Sequence, residues 1–377
     1  MKKMLLVTLD YLPDYGGVAK YYSELRACLK PRKTVVLAPP LKSGQKEIGS
    51  DYTVKRKAFF YRFFWPQWIR LVFVLGRVIK KETIETVWAG QVLPVGTAVW
   101  LSSLWHKRPY FVSLHGMDVV LASRSFLKRF LFRLILGRAR AITANSLFTR
   151  DRAHGLGVKK EIKVIYPGVE TEIFDLSRKV DEIKVKHGLK RKKIVLSLSR
   201  IVERKGFADM IRAWPQIIKQ VPDAVYILAG RGDFLSVLKE KTRQLGLENS
   251  IIFMERVDDS FKGVLFALCD VFAMPCFEKK NRDVEGFGIV YLEAGVYGKP
   301  VIAGRSGGAV EAVKDGETGF VVEPGNIEEI VKRTVELLTN RDLAQKMGKK
   351  GKQRAEEDFS WEKQGQAFKE WLNLMDI

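Results

Sequence analysis

The chain has few of the residues that build disulfide networks and metal centres. Its 377 residues include only three cysteines, Cys28, Cys269 and Cys276. They are too few and too scattered for a disulfide framework or a zinc site. The sequence therefore predicts a reduced chain, with a cytoplasmic location as the simplest interpretation.

Acidic residues are scarce in the first half of the chain. Residues 1–170 carry 30 Lys and Arg against 11 Asp and Glu, whereas residues 171–377 carry 35 against 32. Almost all of the net charge of +22 therefore belongs to the first half. This asymmetry indicates a polyanionic partner for that half alone: nucleic acid, an anionic membrane surface or an acidic acceptor.

Long apolar segments are also scarce. The apolar run in the N-terminal MKKMLLVTLDY is too short for a signal peptide, and we interpret it as a first strand. Residues 86–105 carry no charge, but Gln91 and Pro94 interrupt them. We therefore predict a buried strand over Thr86–Ala89, a loop and a helix rather than a membrane span.

With 46% hydrophobic residues the chain can form two cores, which excludes disorder.

Short β-branched segments alternate with longer helical patterns, which is typical of βαβ units and parallel sheets. The series restarts near residue 193, so the sequence predicts two doubly wound, Rossmann-like α/β domains. One comprises residues 1–170 with a C-terminal helix over 360–377, and the other residues 171–359. Because ligands bind at the carboxyl ends of such strands, we expect the domains to face each other across a cleft. The predicted strands are 4–10, 33–39, 86–89, 109–116, 141–146, 163–168, 193–200, 224–232, 250–255, 271–276, 300–304 and 319–323.

The second half contains a glycine-rich turn that leads directly into a helix, Glu285-Gly-Phe-Gly-Ile-Val-Tyr-Leu-Glu293. Gly286 and Gly288 allow a ligand close to the backbone, and the N–H groups of residues 287–290 lie at a helix N-terminus, which favours phosphate. Glu285 can accept hydrogen bonds from sugar hydroxyls, and Glu293 can reach a ribose. The alternative is a pair of solvated glutamates beside a glycine loop.

A second motif supplies cations. Arg200 follows a predicted strand, and Lys205 lies five residues later at the start of a helix. Together they can neutralise a diphosphate leaving group, Arg200 through its planar fork and Lys205 as a point charge. An ordinary charged loop is the alternative.

The first half contributes Gly16 and Gly17 after its first strand and His115 at the end of the strand over 109–116. The glycine turn is not G-x-G-x-x-G, and no acidic residue follows the second strand, so a nicotinamide dehydrogenase is disfavoured. His115 could act at a reacting centre, although a lone histidine is often structural.

Taken together, these motifs resemble the retaining nucleotide-sugar glycosyltransferases of the GT-B architecture, the glycosyl transferases group 1 family, over essentially the whole chain. Within that family, three stretches look most like GDP-mannose-dependent phosphatidylinositol mannosyltransferases, namely residues 274–276, 283–294 and 303–308. The motifs that carry the resemblance are Gly16-Gly17, His115-Gly-Met-Asp118, Tyr166-Pro-Gly-Val-Glu170, Ser199-Arg200, Lys205-Gly206, Gly230-Arg-Gly232, Glu285 to Glu293 and Gly304-Arg-Ser-Gly-Gly308.

The resemblance implies roles for individual residues. His115 would lie beside the reactive face of the sugar, and Glu285 would hold its hydroxyls. Arg200 and Lys205 would bind the donor diphosphate. The remaining donor-binding residues would be Gly16, Gly17, Arg256, Val257, Gly286, Phe287, Gly288, Ile289, Val290 and Glu293.

The resemblance also implies retaining transfer of a hexose, by front-face attack through an oxocarbenium-like transition state. No cofactor is expected beyond the nucleotide-sugar substrate, which by likeness is GDP-mannose. Because the chain has no Asp-x-Asp sequence, no metal is expected either. Asp283-Val-Glu285 is interpreted as a loop residue and a sugar-binding glutamate rather than a metal pair.

Residues 55–81 combine eight basic and eight aromatic side chains with no acidic one. Such a stretch favours the interface of an anionic membrane, where a lipid or lipid-linked acceptor would reside. An amphipathic helix with a buried aromatic face is the alternative. We therefore expect peripheral association with the cytoplasmic face of a membrane. The residues predicted to contact membrane or acceptor are Lys55, Arg56, Lys57, Arg62, Trp65, Trp68, Arg124, Lys128 and Arg129.

Other functions remain open at this point. Basic residues among aromatics could bind single-stranded nucleic acid, but no recognition module is present, so no nucleic-acid partner is expected. A UDP-sugar-dependent transferase with a soluble or polysaccharide acceptor, a hydrolase or epimerase on the same scaffold, and a non-catalytic sugar-nucleotide-binding protein are the alternatives. The sequence does not indicate an oligomeric state.

Overall fold

A computed structural model describes residues 2–14, 16–47, 49, 51–255, 257–279 and 284–377 of the chain. The chain forms two compact units. Unit 1 comprises Met1–Gly168 and Trp361–Ile377, and unit 2 comprises Val169–Ser360.

Unit 1 contains a parallel sheet of seven strands in the order β3-β2-β1-β4-β5-β6-β7. Its strands are β1 (Met4–Val7), β2 (Thr34–Ala38), β3 (Thr53–Arg56), β4 (Thr86–Ala89), β5 (Tyr110–Leu114), β6 (Ala141–Ala144) and β7 (Lys163–Val164). Its helices are α1 (Gly17–Ala27), α2 (Ile69–Lys81), α3 (Thr97–His106), α4 (Gly116–Ser123), α5 (Phe126–Arg138), α6 (Leu147–Gly155) and, at the C-terminus, α15 (Trp361–Leu374).

Unit 2 contains a parallel sheet of six strands in the order β10-β9-β8-β11-β12-β13. Its strands are β8 (Lys193–Leu198), β9 (Ala224–Ala229), β10 (Ile251–Met254), β11 (Val271–Met274), β12 (Val301–Gly304) and β13 (Gly319–Val322). Its helices are α7 (Ser177–Lys186), α8 (Phe207–Gln220), α9 (Leu235–Gln244), α10 (Asp259–Leu268), α11 (Ile289–Val296), α12 (Ala309–Ala312), α13 (Ile327–Thr339) and α14 (Arg341–Phe359).

The central strands of both sheets are buried along their whole length, as apolar strands covered by helices on both faces must be. In unit 1, α15 contributes Phe368 and Trp371, whose rings contact those of Trp88 and Phe111. Each sheet reverses its strand order next to its first strand, at β1–β4 in unit 1 and at β8–β11 in unit 2. Ligands of doubly wound sheets bind at the carboxyl ends of the strands beside such a reversal.

The predicted fold class is confirmed, because both units are parallel-sheet, Rossmann-like α/β structures. Residues 86–105 divide into β4, an irregular turn over 92–96 in which Leu93 is extended, and α3, which agrees with the predicted strand, loop and helix. Across the part of the chain that the structure describes, no helix is both long and apolar enough to cross a membrane. One strand was not predicted: β3 is a short edge strand that contains Lys55 and Arg56.

Candidate functional site

The loop after β8 brings two cations to the carboxyl end of the unit 2 sheet. It contains a 3₁₀ turn, Glu203–Lys205, followed by Gly206 and α8. Arg204 and Lys205 are each 8% exposed, which is unusual for charged side chains unless they are paired. The sequence therefore buries two adjacent positive charges in one short turn.

Glu285, in the loop before α11, pairs with both of these cations. Its Oε2 atom accepts hydrogen bonds from Nη1 of Arg204 at 2.9 Å and from Nζ of Lys205 at 2.5 Å. The thiol of Cys276 lies 3.9 Å from the same oxygen. Within the described part of the chain no donor contacts Oε1. The two oxygens of Glu285 are therefore different: Oε2 is bound to the cations, and Oε1 can accept from a ligand.

The electrostatics of this cluster follow from its burial and its charges. Burial alone would raise the pKa of Glu285, but the charges of Lys205 and Arg204 and their hydrogen bonds lower that pKa to about 2. Burial raises the pKa of the neighbouring Cys276 thiol to about 11, so this sulfur is protonated at neutral pH. The site thus holds a permanent carboxylate between two cations, beside an unreactive thiol.

Close backbone contacts hold the loops of the cluster together. Gly206 has φ +78°, and a Cβ atom there would lie 2.1 Å from the carbonyl oxygen of Pro275. A Cβ atom at Gly307 would lie 2.0 Å from the carbonyl oxygen of Glu285, which also accepts from the backbone N–H of Gly308 at 2.9 Å. Only glycine fits at both contacts, so the backbone around Lys205 and Glu285 is fixed by close packing.

Gly206→Ala should lower the free energy of unfolding by about 2–5 kcal/mol, because it adds a steric clash with Pro275 to the cost of a left-handed conformation. Gly246→Ala is the matched control, since Gly246 has φ +65° but open space around its Cβ position. The control should lose about 1 kcal/mol. Urea unfolding of both variants measures the difference, and equal losses would show that the contact with Pro275 is unimportant.

The N-terminus of α11 lies directly after Glu285 and Gly286. Gly288, the N-cap residue, has φ +91° and no side chain with which to cap the first turn. The first-turn N–H groups of Ile289 and Val290 are therefore available to an anion. Phe287 is buried, and its ring packs against that of Phe359. This contact anchors the turn before α11 to unit 2.

The other unit 2 residues predicted to bind a donor differ in their exposure, and one of them lies outside the described residues. Arg200 is exposed, in the loop just after β8, and Glu293 is half-buried on α11. Val257 is half-buried, and Arg256 lies outside the described residues. Asp283 and the preceding residues 280–282 also lie outside them, so the interpretation of Asp283-Val-Glu285 stays a prediction.

Arg204 is the member of the cluster that the sequence analysis missed. Its position between Glu203 and Lys205 made it one charge among several in a loop. The feature of the sequence that could have indicated its role is the basic pair Arg204-Lys205 directly before Gly206. Only the fold shows that Arg204 is buried and bound to a carboxylate 81 residues away in the chain.

In unit 1, the glycine turn and His115 lie at the carboxyl ends of β1 and β5. Gly16 is the N-cap of α1, which begins at Gly17, and neither glycine has a heavy atom within 4 Å of its Cβ position. His115 is the N-cap of α4, and its backbone N–H donates to Oδ2 of Asp118 at 2.8 Å. The other oxygen of Asp118 accepts from the backbone N–H of Val92 at 2.8 Å.

The imidazole of His115 is enclosed by α1. Its Nε2 atom lies 2.7 Å from the hydroxyl of Tyr22, and the rings of Tyr21 and Tyr22 contact it edge-on. Burial lowers the pKa of His115 to about 4. Burial also raises the pKa of Asp118 to about 7, despite the two backbone N–H groups that it accepts. His115 is therefore neutral at physiological pH.

The residues predicted to contact a membrane fall into two groups. Lys55 pairs with Glu82 at 2.7 Å, Arg56 pairs with Glu47 at 2.9 Å, and Trp68 packs against the core of unit 1. These three side chains are therefore engaged within the unit. The others are at least partly accessible: Lys57, Arg62, Trp65, Arg124 and Lys128 are exposed, and Arg129 is half-buried.

Exposed apolar side chains accompany the accessible cations of unit 1. Phe63 and Trp65 are 93% and 87% exposed, directly after Arg62. Phe126, Leu127 and Phe130 are exposed on the first turns of α5, beside Lys128. Large apolar side chains that face solvent next to cations are typical of a surface that binds another molecule or a membrane.

Two family comparisons cover most of the chain. Residues 179–354 match the family Glycosyl transferases group 1, and residues 15–173 match Glycosyltransferase Family 4. The first match contains Arg200, Lys205 and Glu285.

Similar proteins span the whole chain. A GDP-mannose-dependent alpha-(1-6)-phosphatidylinositol monomannoside mannosyltransferase of Mycolicibacterium smegmatis is 33% identical, over 98% of each chain. A GDP-mannose-dependent monoacylated alpha-(1-6)-phosphatidylinositol monomannoside mannosyltransferase of Corynebacterium glutamicum is 29% identical, over 97% of this chain and 96% of its own. Among solved structures, Alr3699/HepE of Anabaena in complex with UDP and glucose has a TM-score of 0.81 at 22% identity, over 99% of this chain and 100% of its own.

Proposed function

We propose that this chain, which belongs to the family Glycosyl transferases group 1, transfers mannose from GDP-mannose to a membrane-associated lipid or lipid-linked glycan. The chain is a glycosyltransferase with the GT-B fold. The observation that carries the finer proposal is the identity of 33% over 98% of both chains with a GDP-mannose-dependent lipid mannosyltransferase.

The geometry of unit 2 supports the binding of a sugar diphosphate. Lys205 and the free N–H groups at the N-terminus of α11 offer a cation and a dipole to the diphosphate. Arg200 adds a second, exposed cation in the loop after β8, the loop that also contains Lys205. Oε1 of Glu285 can accept hydrogen bonds from sugar hydroxyls, and Glu293, about one turn into α11, can accept from the ribose. We assign this donor-binding role to unit 2.

The proposed reaction is a front-face transfer with retention of configuration. The bond between the anomeric carbon and the diphosphate oxygen breaks, the acceptor oxygen forms the new bond to that carbon, and the acceptor proton goes to the leaving diphosphate. Lys205, Arg200 and the α11 N-terminus stabilise the charge that develops on the leaving group. No residue needs to act as a nucleophile and no metal is required in this scheme.

We assign acceptor binding and membrane association to unit 1. Its cation excess and its exposed Phe63, Trp65 and Phe126 fit the interface of an anionic leaflet, where aromatics enter the headgroup region and cations meet lipid phosphates. Peripheral association with the cytoplasmic face of a membrane follows from this proposal.

Product analysis tests the proposed reaction. The protein is incubated with GDP-mannose or UDP-glucose, with and without a lipid extract that contains phosphatidylinositol mannosides. Mannolipid formed from GDP-mannose is expected, with an α-linkage. Free sugar would indicate a hydrolase, transfer from UDP-glucose alone would reassign the donor, and no turnover with either donor would contradict the proposal.

The double variant Phe63→Ser/Trp65→Ser should weaken binding to anionic vesicles about 10- to 100-fold, because each large side chain loses its burial in the interface. Vesicle sedimentation in low salt measures this, and high salt should release the wild-type protein. Phe174→Ser, which removes an exposed aromatic side chain from unit 2, is the matched control and should bind normally. Equal binding of wild type to neutral vesicles at every salt concentration would contradict the electrostatic contribution.

A further inference from the structure

The hydroxyl of Tyr22 connects His115 to the main chain of unit 1. Tyr22 lies on α1 and is fully buried. Its hydroxyl donates to the carbonyl oxygen of Gly90, which follows β4, and lies 2.7 Å from Nε2 of His115. The three groups form a short chain that ends at the imidazole.

The direction of the hydrogen bonds in this chain follows from the chemistry of the groups. A carbonyl oxygen can only accept, so the single hydroxyl proton of Tyr22 must be donated to Gly90. The oxygen of Tyr22 then has only lone pairs left for His115. For the contact at 2.7 Å to be a hydrogen bond, Nε2 of His115 must carry a proton and donate it.

We propose that Tyr22 is a positioning residue that holds His115 as the neutral tautomer protonated on Nε2. Nδ1 is then the ring nitrogen that can accept a hydrogen bond, and in the capping box of α4 the His115 side chain faces the backbone N–H of Asp118 as its donor. A role for Nε2 in proton transfer to substrate is excluded, because this nitrogen is bound to Tyr22. The consequence for turnover rests on the proposed function, whereas the tautomer itself does not.

The surroundings of the ring favour the neutral form. The carboxylate of Asp118 accepts from the backbone N–H groups of His115 and Val92, and within the described residues no carboxylate contacts the ring. The hydroxyl of Tyr21 donates to the carbonyl oxygen of Ile165 at 3.1 Å, away from the imidazole. Burial lowers the pKa of His115 to about 4, so the ring does not gain a second proton near pH 7.

Nitrogen NMR of the histidines reads the tautomer directly and needs no substrate. The chain has only four histidines, and His115→Gln identifies the signals of His115 by their loss. The wild-type protein should show Nε2 as the protonated nitrogen and Nδ1 as the unprotonated one, without change between pH 6 and 8. A proton on Nδ1, or a doubly protonated ring in this range, would overturn the proposal.

Tyr22→Phe removes only the hydroxyl and should shift the tautomer population of His115 away from the Nε2 form. Turnover number should fall about 10- to 100-fold with KM for the donor unchanged, by comparison with the loss of partners that orient metal-bound histidines. Tyr21→Phe is the matched control, because its ring also contacts His115 but its hydroxyl does not. An unchanged tautomer in Tyr22→Phe, or equal effects of both variants, would overturn the inference. Absence of transferase activity in the wild type would instead contradict the proposed function and leave the tautomer intact.

Discussion

Glu285→Gln is expected to reduce turnover by about 100- to 1000-fold and to lower the free energy of unfolding by about 3–5 kcal/mol. The substitution keeps the shape of the side chain but removes the charge that Arg204 and Lys205 share. Two cations then remain buried without their carboxylate, and the sugar loses its ionised acceptor. Initial rates with GDP-mannose and urea unfolding at pH 7 measure the two effects.

The pH dependence of stability shows whether Glu285 stabilises the fold through its charge or only through its packing. The folded-state pKa of Glu285 is about 2, below its ordinary value of 4.5, so its contribution is fully present above pH 4.5 and is lost as the pH falls towards 2. The stability of Glu285→Gln should therefore depend less on pH in this window than that of the wild type. Glu323→Gln, in an exposed pair with Arg305, is the matched control and should cost less than about 1 kcal/mol. Equal losses in both variants would contradict the buried cluster.

Lys205→Met should reduce turnover by about 100- to 1000-fold while costing less stability than Glu285→Gln. The expected asymmetry has a structural reason: without Lys205, the carboxylate of Glu285 still pairs with Arg204 at 2.9 Å. The diphosphate, by contrast, loses its contact with the positive charge of Lys205. Turnover number and the affinity for GDP measure the first effect, and urea unfolding measures the second.

Lys239→Met is the matched control for this variant. Lys239 also pairs with a glutamate of unit 2, Glu255, but both side chains are about half exposed. Its removal should leave turnover and GDP affinity unchanged. Near-normal turnover in Lys205→Met would remove Lys205 from the diphosphate site, and a stability loss as large as that of Glu285→Gln would show that Arg204 does not hold the carboxylate alone.

The sequence predicted the sheets well because parallel strands in a covered sheet are continuous apolar segments, and these are visible without a structure. β3 was missed because an edge strand need not be apolar, and Thr53–Arg56 is short and half charged. Several strands were predicted to extend beyond the residues at which they end. For example, 193–200 ends as a strand at Leu198, where the loop turns towards Glu203–Lys205.

The candidate site was predicted at the level of motifs but not of contacts. Lys205 and Glu285 were both expected near the donor, yet their direct pairing depends on loops that pack through Gly206 and Gly307. Such close approach between distant segments leaves no periodic signal in a sequence. The same reason explains why Tyr22 could not be connected with His115, 93 residues away.

Charge composition was informative about unit 1 as a whole but not about single residues. Lys55 and Arg56 belong to the basic stretch, but Glu82 and Glu47 pair with them. Trp68 belongs to the aromatic series, but it packs inwards. Which members of a basic and aromatic stretch face solvent depends on the partners that the fold supplies.

A thermal-shift panel of sugar nucleotides tests the proposed donor most directly, because a ligand that binds only the folded chain raises the melting temperature, and at equal concentration the tighter ligand raises it more. GDP-mannose, UDP-glucose and ADP-glucose are compared at equal concentration, with Lys205→Met as the control that should lose the response. The largest shift is predicted for GDP-mannose. A larger shift with UDP-glucose or ADP-glucose, or no shift with any of the three, would contradict the proposed function.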